Sequence, residues 1–179
     1  GHGVHQLLAA PQGQLLADTP LTLAETASVF GEMLTFRALL AAATEPRQRK
    51  AMLAGKVEDM INTVVRQIAF YNFEIRVHNE RRGGELTAER LCAIWFEIQQ
   101  ESLGPAIRIG DEYQWYWAYI PHFVHSPFYV YAYAFGECLV NSLYALYAGA
   151  NPGFADKYLD LLRAGGTMRH KELLAPFGL

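Results

Sequence analysis

The chain has 179 residues, of which 51% are hydrophobic and 18% charged, with a net charge of −3. So much apolar surface excludes a disordered chain and predicts a substantial core in a single helical domain over residues 1–179. The acidic balance, with a pI near 6.1, removes the global basic field that draws proteins to nucleic acid or anionic lipid. Neither partner is expected, and no apolar run reads as a membrane span.

Pro11 and Gly13 mark a short helix tail and a loop up to Asp18. Thr19-Pro20 predicts the next helix start, a hydroxyl cap followed by proline in the first turn. Leu23, Ala27, Phe30, Leu34 and Ala38 then recur at the helix period. Pro46 restarts the chain. Met52, Val57, Met60, Val64, Ile68, Phe73 and Val77 predict one helix of about 30 residues, longer than the globular mean. Arg81-Arg82-Gly83-Gly84 ends it.

Thr87 predicts the cap of a third helix, which stops at Gly104-Pro105. An aromatic-rich stretch follows, with a loop between Pro121 and Pro127. Ser126-Pro127 reads as the start of a helix reaching Gly149. Beyond the turn at 150–153, FADKYLDLLRAG is amphipathic, and a short helix over 170–174 closes the chain. The alternating YVYAY has no hairpin partner, so the chain is predicted to be all-α, a helical bundle. Cys92 and Cys138 form no CxxC or metal-type cluster and are expected to be buried thiols in a reducing compartment. The N-terminus lacks the basic-then-apolar plan of a signal peptide. A cytoplasmic location is therefore expected.

Three features carry candidate chemistry. His2 could be one histidine of a metal site, although an isolated terminal histidine is more often a tag remnant or a surface residue. Glu25 and Glu32 lie seven apart, two turns along one helix face. They sit among Leu23, Ala27, Val29 and Phe30 with no basic residue near, and a carboxylate in such a setting needs a partner. The third feature is the stretch over 113–133, dense in tyrosine, with His122 and His125 beside prolines. Tyr129, Tyr131 and Tyr133 cannot all share one helix face, so some hydroxyls need polar partners or a cavity. A tyrosine or histidine that donates to a developing oxyanion is a standard electrophilic stabiliser.

GHGVHQLLA followed by LAETASVFGEMLTF resembles the zinc-binding region of the oligoendopeptidase F and thimet oligopeptidase family. IPHFVHSPFYVYAYAFG is similar to the histidine- and tyrosine-rich block of the oligoendopeptidase branch. The resemblance runs over essentially the whole chain. It implies the C-terminal catalytic portion of a larger, mostly helical peptidase that hydrolyses oligopeptides with one Zn2+ ion.

On that resemblance Gly1-His2 would be the last two positions of H-E-x-G-H. His2 and Glu25 would then be metal ligands, and Glu32 would orient a zinc-bound histidine. His122, Tyr131 and Tyr133 would bind substrate and steady the oxyanion, with His125 and Tyr129 as alternatives. The first histidine and the general-base glutamate of that motif do not occur in these residues. The isolated chain is accordingly expected to be inactive, truncated inside the motif, with weak zinc binding at most. Its expected partners are an oligopeptide and the missing N-terminal part of the same enzyme. Exposed apolar surface would favour self-association. The competing expectation is a non-enzymatic helical binding module in which His2 is incidental.

Overall fold

The computed structural model describes residues 1–179 and contains nine α-helices and no strand, so the all-α prediction holds. The helices are α1 (His2–Ala9), α2 (Thr26–Ala42), α3 (Pro46–Met60), α4 (Gln67–Arg81), α5 (Ala88–Leu103), α6 (His122–His125), α7 (Tyr131–Ala148), α8 (Phe154–Arg163) and α9 (His170–Leu174). A π-helical segment, Ile61–Arg66, joins α3 to α4, and a 3-10 helix spans Asp111–Tyr119. None of the helices is long and apolar enough to cross a membrane. The chain folds as two compact units, Gly1–Asp59 with Phe135–Leu179, and Met60–Ala134.

In the first unit α1 packs on α2 and α8. Phe30 of α2 lies against Phe154 and Tyr158 of α8 and meets Tyr147 of α7 edge-on. Leu143 and Val140 are fully buried beside them. One ion pair is deeply placed: Lys56 Nζ lies 3.3 Å from Glu137 Oε1, whose residue is 3% exposed. A charge removed from water needs such a partner.

The helix expected from Thr19-Pro20 begins later. Leu21–Leu23 form a 3-10 turn, and Glu25 is the N-cap of α2. The turn sinks Leu23 into the core at 1% exposed. Packing at Leu23 thus overrides the local start signal.

In the second unit Trp95 of α5 is fully buried against Phe70 and Phe73 of α4 and against Phe123. Its indole N–H donates to the Tyr113 carbonyl at 2.9 Å, which ties the 3-10 helix to α5. Thr87 caps α5 as expected, its hydroxyl accepting from the Arg90 amide at 3.2 Å, and Gly104 ends it at φ +69°. The long helix from Pro46 does end at Arg81, but the π segment interrupts it. The expected helix start at Ser126-Pro127 is replaced by a turn, and α7 begins at Tyr131. A positive φ of 60° at Phe128 is incompatible with a right-handed helix there.

Both cysteines are free. Cys92 is buried and receives the Trp117 indole N–H at 3.3 Å. Cys138 is exposed, contrary to expectation, because its position on α7 faces away from the core formed by Leu139, Val140 and Leu143.

Candidate functional site

His2 with Glu25, and His122 with Tyr129 and Tyr133, form two clusters, one in each unit. The first lies where α1 and α2 begin. The Gly1 backbone lies so close to Ala27 and Ser28 that any Cβ there would collide with the α2 backbone. This approach requires glycine, and it brings His2 beside the N-terminus of α2. Glu25 Oε2 stands 3.5 Å from His2 Nε2. The Ser28 hydroxyl donates to both the Glu25 carbonyl, at 3.0 Å, and its Oε2, at 3.2 Å. Gly136 of α7 makes room for Glu25, since a Cβ at that position would lie 3.0 Å from the Glu25 Cβ.

At 3.5 Å a protonated His2 forms an ion pair with Glu25, whereas a neutral imidazole presents a lone pair to a metal. Zinc bonds of about 2.0–2.1 Å in a tetrahedron place neighbouring donor atoms about 3.3–3.4 Å apart. The His2–Glu25 spacing therefore fits two adjacent ligands. The His2 side chain is 57% exposed and that of Glu25 13%, so one donor is accessible and the other held. No group of three or more His, Cys, Asp or Glu that could hold a metal ion forms. Glu32 lies two turns further along α2, exposed. His5, one turn after His2, is buried; desolvation and then the charge of His2 lower its pKa.

The second cluster surrounds His122. Its Nε2 lies 3.2 Å from the Tyr133 hydroxyl. The His122 ring stacks on Tyr129 with centroids 5.9 Å apart, and Tyr129 meets Tyr133 edge-on at 5.4 Å. Tyr129 and Tyr133, four apart, come round to one side, while Tyr131 points to Tyr71 at 5.3 Å. His125 is exposed and outside the cluster. Of the two tyrosines placed first from the sequence, Tyr133 stands beside His122 and Tyr131 does not; the alternative, Tyr129, takes the second place there.

Sequence reasoning also missed the Ser28 hydroxyl contact, Gly136 and Glu74. Glu74 of α4 is 2% exposed, and its Oε1 accepts from the Phe128 amide at 2.8 Å. Burial raises its pKa, while that hydrogen bond and the charges of His78 and His122 pull the other way. A lone acid within the apolar run AFYNFEI was the available signal.

Residues 1–179, and so both clusters, match the model of Peptidase family M3. The chain belongs to peptidase family M3. It is 32% identical over its whole length to an oligoendopeptidase F homolog of Lactococcus lactis and covers 30% of that protein. It is 30% identical to oligopeptidase PepF of Bacillus subtilis and covers 27% of it. Among solved structures, the oligoendopeptidase-F of Enterococcus faecium superposes with a TM-score of 0.81 at 28% identity, covering all of this chain and 32% of that one. The M3 chain described here thus spans about a third or less of the length of these relatives.

Proposed function

We propose that this chain supplies part of the catalytic machinery of a zinc-dependent M3 endopeptidase that cleaves oligopeptides. The observation that carries the reading is the His2 Nε2–Glu25 Oε2 spacing of 3.5 Å in a chain matched end to end by the M3 family. His2 and Glu25 are the two metal ligands these residues provide, and Ser28 orients the Glu25 carboxylate. Glu32 orients a metal-bound histidine. Zinc, when bound, polarises the scissile carbonyl and acidifies a water molecule.

His122 and Tyr133 bind the peptide and donate hydrogen bonds to the oxyanion, with Tyr129 stacked beside them; Tyr131 and His125 are the alternative donors. The third metal ligand and the general base come from outside these 179 residues, so the isolated chain does not cleave peptides. The unpaired thiols Cys92 and Cys138 suit a reducing, cytoplasmic setting.

The test joins the chain to an upstream M3 segment carrying H-E-x in frame with Gly1-His2 and follows cleavage of a quenched oligopeptide. Cleavage should vanish with a chelator and return with zinc. His2→Ala and Glu25→Gln should fall to the chelated level. Tyr133→Phe should lose about 10²–10³-fold in kcat with little change in KM, as expected for one oxyanion donor. A folded, zinc-loaded protein that cuts no peptide would sink the proposal.

A further inference from the structure

Tyr71, Glu74 and His78 recur at three- and four-residue spacing and share one face of α4. All three meet the chain at Phe128. The Tyr71 ring meets it edge-on at 6.3 Å, the His78 ring lies 4.7 Å away, and Glu74 Oε1 takes its amide at 2.8 Å. Phe128 stands third in a four-residue turn closed by the Tyr129 amide donating to the Ser126 carbonyl at 3.1 Å. Proline at the second position and φ +60° at the third make it a type II turn, which calls for glycine at that third position. Phenylalanine there is strained, and strain persists only where the surroundings over-determine it.

Glu74 is an unusual residue to spend on that task. It is 2% exposed, no ion pair compensates it, and its Oε2 has no hydrogen-bond partner. The charged or titratable groups facing it are His78 of α4 and His122 of α6. The turn it holds leads directly into α7, whose first bonds run from the Ala132 amide to the Tyr129 carbonyl and from the Tyr133 amide to the Val130 carbonyl. Turn geometry is thus passed to Tyr129 and Tyr133 without an intervening flexible residue.

We propose that Glu74 is a positioning residue for the His122–Tyr129–Tyr133 cluster: by fixing the strained turn at Phe128 it sets where the two tyrosines stand against His122. The functional meaning rests on the substrate-facing role proposed above; the positioning itself does not.

The test uses the 179-residue chain and NMR at one fixed pH of about 8. In Glu74→Ala the Phe128 amide should exchange about tenfold faster, the loss of one hydrogen bond. The ring signals of His122, Tyr129 and Tyr133 should move while the far-UV circular dichroism stays unchanged. Glu74→Gln keeps an acceptor and should restore both. Faster exchange with unmoved rings, or unchanged exchange, overturns the proposal.

If Glu74→Ala alone does not fold, the same change is made with Phe128→Gly, which removes the strain. That double variant should fold with its rings in place; displaced rings or failure to fold overturns the proposal. None of these readouts needs metal or peptide, so a negative result leaves the peptidase reading standing, and an inactive parent enzyme leaves this one standing.

Discussion

Glu74 and Glu80 lie six residues apart on α4 and respond to pH with opposite sign. Burial raises the Glu74 pKa above the ordinary glutamate range. Between the two values the folded state binds the extra proton, so stability falls as pH rises through that window. Glu80 is lowered, first by hydrogen bonding to Arg90 and then by Arg76. Its contribution is present above the ordinary value and is lost as pH falls through the lowered one, and it is small because the pairs are at the surface. Urea midpoints of wild type and Glu74→Gln, measured from about pH 4.5 upward, should diverge in favour of the variant as pH rises. Parallel curves would show that burial of Glu74 is not felt. At this scale His2, Glu25 and His122 were legible as residue types in a suggestive order. The close approaches at Gly1 and Gly136 and the hydroxyl contact of Ser28 were not, because such contacts have no sequence period.

Helix elements were read well wherever a local signal also matched the packing. Thr87 is such a case: its hydroxyl satisfies an amide that the first turn of α5 leaves without a helical partner. Thr87→Ala should cost about 1 kcal/mol. The expected observation is a lower urea midpoint by tryptophan fluorescence, since Trp95 lies in α5, with an unchanged slope. A midpoint within error of wild type would mean that water replaces the cap at no cost. Elements were misread where burial or strain decided instead. Leu23 pulled the start of α2 to Thr26, and the positive φ at Phe128 delayed α7 to Tyr131. The π segment at Ile61–Arg66 has no composition that marks it. The misreadings at Leu23 and Phe128 lie next to a core contact or a candidate site residue, where tertiary demands are strongest.

For the whole molecule the core divides with the two units, one set around Phe30 and Leu143 and the other around Trp95. Leu143 is fully buried, so Leu143→Ala should destabilise by about 2–5 kcal/mol through lost transfer energy and the cavity left behind. Far-UV circular dichroism is the appropriate probe, because Trp95, Trp115 and Trp117 all lie in the other unit. A loss below about 1 kcal/mol would mean that the site collapses around the smaller side chain. Nothing in composition marks the passage between units. α7 runs through one boundary as an unbroken helix, with no linker rich in proline or glycine.

The sequence by itself determined that the chain is all-α, where most helices lie and which family it resembles, because periodicity, caps and motif order are local properties of the string. Only the tertiary structure decided that His2 Nε2 and Glu25 Oε2 stand at a ligand-like separation, which tyrosines join His122, and that Glu74 reaches Phe128. Those are separations in space, between residues that are 54 apart in the chain for Glu74 and Phe128 and 11 apart for His122 and Tyr133. They are fixed by how the helices pack within each unit, a problem in three dimensions that no spacing along one dimension encodes.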